Sequence, residues 1–167
     1  MRPIHELGVA PLPAKDIQDM LVKHIPYRVQ LHVDGGKVIP AKVWADNSTF
    51  EAGAISGRTL LSFLGIGLDR KNDCLKTDCR HDELRKKSPS GQTLTDDVKI
   101  RDVGGRFVDP ETLSPEDRVV LVSFIHGVHK ACAHFTMDSQ HKLSAPIYHK
   151  AQEIILRLLR EHLPKRG

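Results

Sequence analysis

Aromatic side chains are scarce in this chain, with one Trp, two Tyr and five Phe in 167 residues. Those that fall in strand-like stretches, Tyr27, Trp44 and Phe107, lie too far apart in sequence to make the closely spaced stacking surface on which single-stranded nucleic acid rests. Cysteine is equally sparse. Three thiols, an odd number, do not make the disulfide framework of a small secreted domain and fit a reducing compartment instead. No apolar run approaches the roughly 18 residues that span a bilayer. The opening Met1-Arg2-Pro3-Ile4-His5-Glu6 lacks the apolar stretch of an export signal. A cytoplasmic protein with no membrane contact is therefore expected. The Gly-x-Gly-x-x-Gly fingerprint, a Walker lysine, a Gly-x-Ser-x-Gly elbow, an internal repeat and a sustained heptad are also missing, so no nucleotide fold, serine hydrolase, solenoid or coiled coil is indicated.

What is present is an ordinary globular composition, 40% apolar and 28% charged. At this length one domain over 1–167 can bury about two thirds of its unfolded surface, so neither a metal nor a disulfide is required for folding. The net charge of +4 is carried mainly by residues 70–87 and by Lys165 and Arg166. So modest an excess reads as solvated surface, and nucleic acid is a disfavoured partner, reached at most weakly through the basic 70–87 stretch.

Ile17, Met20, Leu21 and His24 recur at helical spacing over 14–25, with Pro26 as the stop. Tyr27, Val29, Leu31 and Val33 then alternate with polar residues, the period of a half-buried strand, and Asp34-Gly35-Gly36 supplies turn chemistry before a return strand over 37–45. Ser56-Gly57 is expected to open a helix carrying Leu60, Leu61 and Leu64, ended by Gly65 and Gly67. A long polar loop is expected at 69–97. A second hairpin is expected to pair Val98 and Ile100 with Phe107 and Val108 around Gly104-Gly105.

Two helices should close the chain. Ser114, Pro115, Glu116 and Asp117 are strong start signals for a helix over 114–135, and Ser144 starts a last helix that Pro164 ends. The last helix places Ile147, Ala151, Ile154, Ile155, Leu158 and Leu159 in one broad apolar stripe. The fold class expected is thus α+β, a single domain in which a small antiparallel sheet built from two hairpins packs against the C-terminal helices.

Chemistry concentrates at three places. On the 114–135 helix, His126 and His129 are three apart and could share one ion, while Cys132 falls in the apolar stripe with Leu121, Phe124, Ile125 and Val128. Zinc needs further ligands, for which Cys79 and His81 of the long loop are the candidates, with Asp82 or Glu83 as a base in a zinc-dependent hydrolase. Cys74 and Cys79 could instead be unliganded thiols or a reversible disulfide. Ser56, Gly57, Arg58 and Thr59 combine helix-start amides, hydroxyls and a guanidinium, the ingredients of an anion or ligand site. No nucleophile and base pair emerges. The leading expectation is a non-enzymatic accessory domain, binding a small molecule or a protein, needing no cofactor, and assembled as a homo-oligomer through the last helix. The alternative is a zinc-binding domain or zinc-dependent hydrolase using His126 and His129.

Overall fold

A computed structural model describes residues 13–37, 47–77, 98–132 and 143–164. The return strand beyond Lys37, the zinc-site candidates Cys79, His81, Asp82 and Glu83, the side chain of Cys132 and positions 133–142 lie outside the described residues. The described chain is mostly helical, with one two-stranded antiparallel sheet. In order come α1 (Ala14–Asp19), a π-helical turn (Met20–His24), α2 (Ile25–Lys37), α3 (Asn47–Phe63), β1 (Ile66–Asp69), β2 (Cys74–Thr77), α4 (Pro115–Cys132) and α5 (Ala145–His162). None of these helices is long and apolar enough to cross a membrane.

Pro26 does not stop the first helix. It has no N–H to donate and its ring crowds the carbonyl one turn earlier, so an uninterrupted α-helix would be broken there. The wider π turn accommodates it: the N–H of Ile25 reaches back five residues to the carbonyl of Met20, and the helix continues as α2.

The expected first hairpin is replaced by α2. The alternation of Tyr27, Val29, Leu31 and Val33 hides a helical period carried by other residues: Ile25, His32, Gly35 and Gly36 are buried, with Val29 packed beside them. The glycines do not turn the chain. They allow α2 and α3 to touch, because a Cβ on Gly35 would lie 2.8 Å from the Cα of Gly53, and one on Gly53 would lie 2.7 Å from the Cα of Gly35. Side-chain size at the contact sets how closely helices approach, and this crossing is the most extensive contact in the fold. Helix α3 accordingly starts at Asn47, nine residues before the expected start at Ser56.

Helix α3 ends where expected. Gly65 takes a φ of +84° and its N–H bonds to the Ser62 carbonyl, as a left-handed residue does after a helix. The sheet then forms inside what composition marked as the start of the polar loop. Ile66 pairs with Thr77 and Leu68 with Leu75, while Asp69 accepts from the Lys71 N–H and from Asn72 across the turn. A lone hairpin is marginal in water. This one gains support by burying Ile66 and Leu75 in the core and resting β2 on α4.

The expected second hairpin is not formed. Residues 100–103 make a 3₁₀ turn closed by Gly104 in the left-handed region, and 105–109 form no regular element and pair with no strand among the described residues. Their amides bond to helix ends instead: Arg106 N–H donates to the His162 carbonyl and Val108 N–H to the Leu64 carbonyl. Both carbonyls belong to C-terminal turns, which lack partners inside their own helices.

The last two helices follow the sequence closely. Ser114 Oγ accepts from the Asp117 N–H at 3.1 Å, and Leu121, Phe124, Ile125 and Val128 of α4 are buried. Tyr148, Ala151, Ile154, Ile155, Leu158 and Leu159 form the buried stripe of α5. Arg157 of α5 grips Asp117 at 2.7 Å, an ion pair that holds the start of α4 against α5 and raises the guanidinium pKa, chiefly through that hydrogen bond.

Candidate functional site

Two polar features stand out: a buried cluster at the α2–α3–α5 junction and an open groove beside it. The cluster is built on His32, which is 0% exposed. Its Nδ1 lies 3.0 Å from the Gly53 carbonyl and 3.1 Å from the Tyr148 hydroxyl. A carbonyl only accepts, so Nδ1 carries the proton and Nε2 presents a lone pair. That Nε2 has no hydrogen-bond partner among the described residues, and neither has the buried Ser56 Oγ. The backbone carbonyl of His32 is doubly engaged, by Tyr148 Oη at 2.8 Å and by Gln152 Nε2 at 2.7 Å. Rings close the cluster, with Phe124 edge-on to His32 at 5.9 Å and Tyr148 at 5.1 Å. Adding a second proton would place an unpaired N–H and a charge in this apolar surround. Burial accordingly lowers the His32 pKa from 6.5 to about 4, against a smaller upward pull from the Gly53 carbonyl.

The cluster fixes the direction of the neighbouring helices. Gly35 meets Gly53 and Gly57 sits under the His32 ring, so α2 and α3 run antiparallel. One turn further on from the His32–Gly57 level come Arg28 and Leu60, and a second turn brings Ile25 and Phe63. There the helices and the segment at Val98 and Lys99 enclose a groove of about 500 Å³. That volume falls in the usual range for small-molecule sites, about 300–1,000 Å³.

Basic and apolar side chains share the lining of the groove. Arg28 and Arg58 stand towards the glycine crossing, and Met20, Ile25, Phe63 and Val98 line the other end. Ile55, 43% exposed, is an apolar side chain left in solvent at the wall. His24 and Lys99 complete the basic lining, and no described acidic residue takes part in it. Lys99 is 4% exposed, and its ammonium is held at 2.9 Å by both the carbonyl and the hydroxyl of Ser62. Arg58 is different. Partial burial, and secondarily the charge of Arg70, lower its pKa, and among the described residues no carboxylate forms an ion pair with Arg28 or Arg58.

The four residues expected as an anion site are separated by their places on α3. Ser56 lies mid-helix and buried, so it offers no free helix-start amides, and Gly57 is covered by His32 and Phe124. Arg58 and Thr59 face the groove, the Thr59 hydroxyl donating to the Ile55 carbonyl at 2.9 Å. Sequence reasoning missed Arg28 because it was assigned to a strand. The helical spacing of Met20, His24, Ile25 and Arg28 was the available signal.

Of the metal candidates, His126 and His129 lie one turn apart on α4 and are both half-buried. His126 Nε2 meets Asp73 Oδ1 at 2.5 Å, an ion pair if the imidazole is protonated. Asp73 sits at the hairpin turn with a φ of +54°, in the left-handed region that Asp tolerates better than most residues. Cys74, next to it, is an exposed free thiol. Among the described residues no three His, Cys, Asp or Glu side chains are grouped to hold a metal ion. His162, in the last turn of α5, has Nδ1 3.1 Å from the Arg106 carbonyl.

Compared with family models, with curated proteins and with solved structures, the chain matches none of them.

Proposed function

We propose that the protein is a non-enzymatic binding domain whose ligand is a small anion-bearing molecule held in the groove between α2 and α3. The observation that carries this reading is the pair Arg28 and Arg58, two guanidiniums without a carboxylate partner among the described residues, facing one groove whose described lining holds no acid. An anion in the groove gains charge-assisted hydrogen bonds from guanidiniums that line it. The buried glycine crossing and the His32 contact to Gly53 hold together the two helices that carry the arginines.

The test is a titration with 8-anilinonaphthalene-sulfonate, an anionic probe with an apolar body. Arg58→Glu should raise its Kd about tenfold or more, since a hydrogen bond to a charged group contributes about 1.5–3 kcal/mol. Added salt should weaken the wild-type interaction. Equal affinity in wild type and Arg58→Glu would remove this reading.

A second reading, a zinc site using His126 and His129, needs ligands from beyond the described residues, since Asp73, which meets His126, does not complete a group of three with them. Zinc bound there should copurify without chelator treatment and raise Tm, with both effects lost in His126→Ala. Elemental analysis finding no zinc, with His126→Ala as stable as wild type, would exclude it. Weak nucleic-acid binding through 70–87 keeps only Arg70, Lys71 and Lys76 among the described residues as its basis.

A further inference from the structure

We infer that the occupant of the α2–α3 groove is a single-chain anionic amphiphile, a medium-length alkyl carboxylate or phosphate monoester, with its head between Arg28 and Arg58 and its chain running towards Met20, Phe63 and Val98. This rests on the reading of the groove as an anion site and adds the ligand's shape. By helix register Arg28 and Arg58, without a carboxylate partner among the described residues, lie nearer the glycine crossing, and the apolar side chains Met20, Ile25, Phe63 and Val98 lie towards the other end, with His24 and Lys99 beside them. A compact hydrophilic anion would fill the first end and leave the second wetted. The Lys99 ammonium is turned onto the two oxygens of Ser62 at the end of α3.

Length follows from helix geometry. Eight residues separate Arg28 from Met20, and at 1.5 Å per residue they span about 12 Å. A chain of about eight to ten carbons, extended along that span, reaches the apolar end without leaving it. A hydrocarbon tail gains free energy with each methylene it buries, about a three- to fourfold step in affinity per carbon.

The experiment uses the full chain and displacement of the anionic dye by acetate, hexanoate, octanoate, decanoate, decyl phosphate, decanol and decyltrimethylammonium, each below its micelle concentration. Affinity should climb about three- to fourfold per methylene from hexanoate to decanoate. Decanol and the cationic amphiphile should bind at least tenfold more weakly than decanoate. Met20→Asp should remove the chain-length dependence, and Arg58→Glu should weaken every anion.

If acetate binds as tightly as decanoate, the amphiphile is wrong while the anion site stands. If decanoate binds and neither Arg58→Glu nor Met20→Asp changes its affinity, the chain is held elsewhere and both readings fall. They also fall if no anion displaces the dye. Circular dichroism and Tm of each variant separate loss of the site from loss of the fold.

Discussion

Gly53→Val should leave the protein unfolded or barely folded at room temperature, and Gly53→Ala should cost about 3 kcal/mol, at the upper end of ordinary overpacking. The reason is what the new Cβ meets. At Gly53 it would come within 2.7 Å of the Gly35 Cα and 2.8 Å of the Leu31 carbonyl oxygen, both backbone atoms that cannot rotate away. Helices α2 and α3 would have to separate, and with them the Gly53 carbonyl would leave His32 Nδ1. Against a total stability of about 5–15 kcal/mol, such a loss decides whether the chain folds. Gly104→Ala is the control. A Cβ there meets nothing within 4 Å, so only the φ of +85° opposes it, at about 1–2 kcal/mol. Urea denaturation of the three variants measures the contrast. A Gly53→Ala protein within about 0.5 kcal/mol of wild type, the range of ordinary surface substitutions, would show that the crossing is loose.

Acid should destabilise the protein through His32 before it acts through carboxylates. The folded-state pKa is about 4 against the ordinary 6.5 of an exposed imidazole, so below 6.5 the unfolded chain binds a proton that the folded one does not. Stability from this group is fully present above 6.5, falls as pH drops through the window from 6.5 to about 4, and is level below that. A lowering from 6.5 to about 4 corresponds to about 3 kcal/mol. Asp34 and Asp69 have pKa values lowered below 3.8, chiefly by the hydrogen bonds from Lys37 and from the Lys71 backbone respectively, so their losses fall at lower pH. His32→Asn keeps a donor near the Nδ1 position and cannot titrate. It should be less stable than wild type at neutral pH yet show a flat Tm between pH 6.5 and 4. A wild-type Tm equally flat over that range would mean that His32 titrates normally.

Much of the helical part of the fold was legible, and the rest failed for identifiable reasons. The start of α4 at Ser114 and the buried stripe of α5 are local signals: a cap, a proline at the first turn, and apolar side chains at helical spacing. Helix α2 was misread because its buried face is made of Ile25, His32, Gly35 and Gly36, residues that no hydropathy pattern marks as a core. Asp-Gly-Gly is turn chemistry in isolation and a helix contact here, because Gly35 and Gly53 are brought together from distant parts of the chain. The same misreading hid half of the groove. Arg58 and Thr59 were singled out as ligand-binding candidates, but Arg28 becomes their neighbour only once Tyr27 to Val33 are helical. The Asp73–His126 pair was beyond reach because it depends on a hairpin inside a stretch whose composition is that of a loop.

The π turn at Met20–His24 also sets the phase of everything before it. One extra residue in a helix rotates the preceding part by about 100° relative to the part that follows. Ile17, Met20 and Leu21 pack against the core in this phase, and Met20 lies on the wall of the groove. Deleting a single residue from this turn would restore the α-helical count and swing α1 about its own axis by that angle. Its apolar side chains would then face water with every residue of the groove's other wall unchanged. The insertion beside Pro26 therefore works as a phase shifter, so a one-residue change in length there should matter more than most substitutions in α1.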